Sequence, residues 1–143
     1  MTELASRHAA LPESVRFVPR LSQTLLDLAL DNAREGTSRE LFGAVLAAWQ
    51  SRAASSADTR ARFAEIARDE AEHAQLSLDL AAWLSEHLNE DERILVDHER
   101  ERSFQALQLE LREPVDAEVA HVAGLPNASE AQRLLRATRA ELT

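Results

Sequence analysis

In the segment Asp69-Glu70-Ala71-Glu72-His73, a carboxylate and an imidazole stand three residues apart, at Glu70 and His73. On an α-helix that spacing puts both on one face. Phe63, Ile66, Ser77, Leu80 and Leu84 continue the same stripe at alternating steps of three and four, a pattern that turns one face toward a partner. A carboxylate and an imidazole inside an apolar stripe are costly to bury unless something pairs them. A metal ion is a suitable partner, and an oxygen–nitrogen donor set suits iron, manganese or zinc. A Glu-x-x-His pair alone is common on charged helices and carries little weight, so further donors must come from the preceding helix.

That helix offers Glu35 and Glu40, and two criteria divide them. Glu35 shares a phase with Phe42, Leu46 and Trp49 and is expected to face inward. Glu40 is rotated from it by roughly 140° at about 100° per residue, onto a small-residue face with Ala33, Ala44 and Ala47. Height along the helix favours the other residue. If the chain turns near residue 55, Glu40 lies opposite Glu70 and Glu35 lies a turn further away. Both stay open as metal ligands. Thr37-Ser38-Arg39-Glu40 also reads as a capping box after a helix ended by Gly36. The apolar phase persists across Gly36, which favours one continuous helix with Gly36 at a close helix contact.

The elements that must position these residues are helices. Residues 1–20 form an irregular lead-in punctuated by Pro12 and Pro19, with one helical turn between them, and residues 21–143 form a single helical domain. From Leu21 the periodicity predicts a helix fading near Ala53–Ala54. Ser55, Ser56 and Asp58 supply the next turn and N-cap. Asn89 with Glu92 caps a third helix, which Pro114 ends. A short helix follows, stopped by Gly124 and Pro126, and Ser129 with Gln132 caps a last one reaching Leu142. Short connections make the first two long helices an antiparallel hairpin. The expected fold is all-α.

Composition narrows the chemistry. The chain has 143 residues, 45% hydrophobic, with three glycines, four prolines and no tyrosine, a mixture that favours helix over sheet. With no cysteine, disulfides, iron–sulfur clusters and thiolate zinc sites are excluded. The net charge of −9 opposes binding to a phosphate backbone and draws cations in. No stretch reaches the roughly 18 apolar residues of a membrane span, and residues 1–11 lack a secretory apolar core. The expectation is a cytoplasmic protein without nucleic-acid or membrane partners.

At Leu25–Leu84 the sequence resembles the ferritin-like superfamily, with one glutamate on a first helix and Glu-x-x-His on a second. The separation Glu35 to Glu70 is similar to that of ferritins. The separation Glu40 to Glu70 looks like that of encapsulated ferritins, two-helix proteins that build an iron site between subunits. The wording around Glu35–Phe42, Trp49-Gln50 and Asp69–Ala74 also looks like bacterial ferritin-like proteins of unassigned role. The resemblance implies metal ligands at Glu35 or Glu40, a bridging carboxylate at Glu70 and a terminal imidazole at His73. It implies di-iron as cofactor and ferroxidase-type oxidation of Fe(II) or activation of oxygen, with manganese or zinc as other occupants.

A di-iron carboxylate site uses about four carboxylates and two histidines, and one chain offers half of that. A two-fold homodimer, or a higher homo-oligomer, would complete both the site and a four-helix bundle, with Trp83 and Leu84 as the candidate seam. Glu118/His121 lies in too short a segment to join it. His98/Glu101 falls in a charged run, and His8 and His87 read as surface histidines. Two other functions compete. One is a metal-free helical interaction protein in which Arg34 or Arg39 pairs with Glu70 and His73. The other is a metal buffer without turnover.

Overall fold

Thr24 opens the first helix through a capping box. Its hydroxyl accepts from the Asp27 amide at 3.0 Å, and the Asp27 carboxylate accepts from the Thr24 amide at 3.0 Å; such caps satisfy amides that no helical carbonyl can reach. The computed structural model describes residues 24–142. The lead-in over 1–20 and a helix start at Leu21 lie outside the described residues. Helix α1 (Leu25–Asp31) runs without interruption into a π-helical segment (Asn32–Glu40) and then α2 (Leu41–Ala53), so the three form one rod. Ser56 caps α3 (Ala57–His87), Asn89 and Glu92 cap α4 (Glu90–Glu110), and Asp116 caps the short α5 (Ala117–Ala123). The last helix, α6 (Ala128–Ala140), is capped by Asn127 with Glu130, not by Ser129 with Gln132. Asn is at least as good a cap as Ser, and Asn127 follows Pro126 directly. Helix α4 stops at Glu110, short of Pro114, because proline disfavours helical backbone in the residue before it. All regular structure among the described residues is helical.

The rod lies between two neighbours, and its two faces differ in bulk. The face with Phe42 packs with Phe104 and Leu107 of α4 and Leu135 of α6, flanked by Leu46, Leu111 and Leu134. The small-residue face, where Ala33, Gly36 and Ala47 are buried, lies along the antiparallel α3. A second cluster joins Ala29 of α1 to Leu84 of α3 and Leu88 just past its end, with Val96 of α4 against it. Leu84, expected at a dimer seam, is only 1% exposed and belongs to this core, whereas Trp83 beside it is 47% exposed.

The expected close contact at Gly36 is present. A Cβ there would lie 2.5 Å from Ser77 Oγ and 2.8 Å from Ser77 Cβ. Asn32 Nδ2 donates to the Ser77 carbonyl at 2.9 Å at the same level. Gly36→Ala gains up to about 1 kcal/mol of helix propensity, but overpacking the seam costs about 1–3 kcal/mol. The expected result is net destabilisation of about 1–2 kcal/mol, measured by urea unfolding. The π-segment is held from within by Ser38 and from α4 by Ser103. Ser38 Oγ donates to the Ala33 carbonyl at 2.7 Å and the Arg34 carbonyl at 3.0 Å, and Ser103 Oγ of α4 donates to Arg34 at 2.7 Å. Buried Thr37 and Ser38 are therefore helix interior, and no capping box forms at Thr37–Glu40. The Thr37 hydroxyl and the Trp49 indole N–H are buried without a hydrogen-bond partner, each at a cost of about 1–3 kcal/mol.

Candidate functional site

The π-segment decides where the two first-helix glutamates point. A π turn closes on the fifth residue and holds roughly one residue more than the ~3.6 of an α turn. From Glu35 to Glu40 the chain therefore rotates roughly a quarter turn less than in an α-helix. Glu35 is carried out of the Phe42 phase, with its side chain 61% exposed and Arg39 Nε 3.9 Å away. Glu40 falls on the small-residue face against α3, where its Oε2 accepts from Ser77 Oγ at 2.9 Å. Its expected inward competitor, Glu35, is thus the outward residue.

On α3, Glu70 lies in the seam phase of buried Ala74 and Ser77, and its side chain is 34% exposed. His73 stands on the flank of that seam, with a side chain 61% exposed and its Nδ1 3.8 Å from Glu70 Oε2. The expected inward stripe therefore holds only in part. Ser77 and Leu84 are buried, Phe63 and Leu80 are half-buried, and Ile66 and His73 are exposed. Ile66 is 42% exposed and Leu76 67%, leaving apolar surface beside His73. Ser77 is one turn, about 6 Å, from the level of His73, and two turns, about 10 Å, from that of Glu70. Anchored at Ser77, Glu40 stops short of both. Among the described residues no three His, Asp or Glu side chains are grouped to hold a metal ion. A single copy in this arrangement does not fit one.

The arginines near Glu40 turn the other way. Arg34 Nε donates to Glu99 at 2.7 Å, and Arg39 forms a paired bond to Glu110 at 2.6 and 3.0 Å. Both acceptors are on α4, so these guanidiniums do not neutralise Glu70. The Arg39 hydrogen bonds hold the Glu110 carboxyl below its usual range, against a smaller desolvation effect. A depressed carboxyl adds stability that is complete above its unfolded value, roughly pH 4.3, and is lost as pH falls through its folded value. The Tm difference between wild type and Glu110→Gln is expected to be small at pH 6, as for exposed pairs generally, and to shrink toward pH 3. Melts across that range measure it.

The remaining histidines among the described residues do not join the site. His98 is exposed, and Glu101 beside it is held by Arg139 at 2.7 Å. Glu118 and His121 are exposed on seven-residue α5. His87 stacks on Trp83 with ring centroids 4.2 Å apart. His8 lies outside the described residues. The sequence reading missed Ser77 as the partner of Glu40. Its signal was a hydroxyl at a seam position opposite glycine, where larger side chains are excluded. Among the described residues, no helix is long and apolar enough to cross a membrane. No family model matches the chain, and neither a curated protein nor a solved structure does.

Proposed function

We propose that the chain is a ferritin-like half-site protein that binds iron between two copies of itself, each giving Glu40, Glu70 and His73. The reading is carried by one observation. These three potential ligands lie along or beside one hairpin seam, with no guanidinium of the described residues within ion-pair distance, near exposed apolar Ile66 and Leu76. Carboxylates without a guanidinium partner, beside apolar surface, suit a contact that brings both a cation and a second chain. Two copies give four carboxylates and two imidazoles, the inventory of a di-iron carboxylate site. Fe(II) oxidation or oxygen activation is the chemistry this reading assigns, with manganese or zinc as alternative occupants. Formation of the site requires Glu40 to leave Ser77 and reach toward His73. The long π-segment beneath Glu40 supports the reading, because π distortions are frequent at functional sites. Glu35, paired with Arg39, stays outside the set.

The metal-free interaction role is the second reading, favoured by the exposure of His73 in the single chain. Arg34 and Arg39, which that role would pair with the site, bond instead to carboxylates of α4. The test is metal analysis of protein purified without chelator, then anaerobic Fe(II) loading, exposure to air and sedimentation. About one iron per chain with a ferric-oxo absorbance, in a dimer, is the expected result. A monomer at micromolar concentration with iron present would remove the shared site.

A further inference from the structure

Away from that seam, α3 and α4 diverge from their connecting turn and scarcely touch each other. The wedge between them, above the rod, is a cavity of about 350 Å³. Its floor is apolar and buried, formed by Ala29, Ala33, Leu84 and Leu88. Alanines at these crossing points are too small to close it. One polar atom in the wall stands apart, the Thr37 hydroxyl, which is buried without a partner.

The rim carries charge. Arg100 is held by Asp97 within one helical turn. Arg93 donates from Nη1 to the carbonyls of Ser85 at 3.2 Å and Leu88 at 3.0 Å, which fixes it against the end of α3. No carboxylate among the described residues pairs with Arg93. This chain has 25 acidic residues against 16 basic ones. A guanidinium without a carboxylate, held at the mouth of an apolar cavity, is therefore an anion site made in an acidic background. Guanidinium is well matched to carboxylate geometry.

We propose that this cavity binds a free medium-chain carboxylate, its apolar tail on the alanine and leucine floor and its head on Arg93. The volume admits about a dozen non-hydrogen atoms at roughly 30 Å³ each, the size of decanoate. Pockets of this size, mostly apolar with a few placed polar groups, are typical of small-molecule sites. The proposal is independent of the iron reading, because it uses none of Glu40, Glu70 and His73.

Calorimetric titration with decanoate, decanol and decyltrimethylammonium, each below its micellar concentration, tests it on the full chain. Decanoate is expected to saturate at one per chain, with the ammonium binding at least tenfold more weakly. Arg93→Gln is expected to weaken decanoate about tenfold and to leave decanol unchanged. Because the readout is the ratio of the two ligands, a general loss of folding moves both and is recognised. Ala82→Trp, at the exposed rim, is expected to abolish binding while circular dichroism stays the same. Absence of saturable decanoate binding, equal affinity for the ammonium, or an unchanged decanoate-to-decanol ratio in Arg93→Gln would overturn the proposal. So would uptake onto anionic phospholipid vesicles in place of soluble decanoate.

Discussion

Gly124→Ala is expected to destabilise the chain by about 3 kcal/mol or more, the largest stability effect of any single methyl group here. Two costs add. Gly124 ends α5 in the left-handed region at φ 65°, where a side chain costs roughly 1–2 kcal/mol. An added Cβ would also meet the backbone, 2.2 Å from the Ala54 nitrogen and 2.4 Å from the Ala53 carbonyl carbon. Backbone at a tight turn cannot swing aside as a side-chain tip can. To make room, α5 must lift off the α2–α3 turn. That would break the bonds from the Ser55 amide to the Val122 carbonyl at 3.3 Å and from Gln50 Nε2 to the Ala123 carbonyl at 3.1 Å. Gly43→Ala is the control. Apart from its own helix backbone, no atom of the described residues lies within 4 Å of a Cβ at Gly43, so mid-helix alanine should stabilise the single chain by up to about 1 kcal/mol. Urea unfolding of both variants measures the contrast. If Gly124→Ala is as stable as wild type, α5 does not seat on that turn.

The helical layout was legible because its signals are local. Asn89 with Glu92 announces its helix by type and spacing, and Gly124 stops one for a reason visible in a single residue. Even the close contact at Gly36 could be read, since an apolar phase that continues across glycine leaves packing as its use. What could not be read is which of the rod's faces meets which neighbour. Large residues such as Phe42 read as the inside, while the alanine face was read only as small residues with a close contact at Gly36. Both are inside. The alanine face meets α3 at short range, and the phenylalanine face meets α4 and α6, whose positions depend on contacts distant in sequence.

The candidate site was legible in its residue types and not in its aim. Glu70 and His73 were read from their spacing, and they do sit one turn apart, 3.8 Å between donor atoms. Their burial was inferred from the stripe, yet Ile66 and His73 of that stripe are exposed and Phe63 and Leu80 only half-buried. The phase argument that turned Glu35 inward did not hold, for a more specific reason. It assumed about 100° per residue, and Asn32–Glu40 is π-helical. Nothing local in Asn32–Glu40 distinguishes a π-segment from an α-helix. Its supports include Ser103, on a helix more than sixty residues away in sequence.

Glu70→Ala and His73→Ala chains are expected to lose iron binding by more than about 100-fold. Replacing an outer partner of a ligand typically costs 10–100-fold in metal affinity, and a ligand itself should cost more. In a two-fold assembly each substitution also removes its donor twice, which leaves too few carboxylates or no imidazole. Glu40→Ala should behave likewise, although its carboxylate rests on Ser77 in the single chain. Glu35→Ala should load iron as wild type does, because its carboxylate is exposed and faces Arg39. The pattern across the four variants carries more than any one of them. Loss in Glu40, Glu70 and His73 variants with retention in Glu35→Ala is what the π-shifted geometry requires. Loss in Glu35→Ala with retention in Glu40→Ala would mean the rod returns to α-helical phase when metal binds. Equal loading in all four would make the Glu70–His73 pair an ordinary solvated helix face, and the iron reading would fail while the helical fold stood.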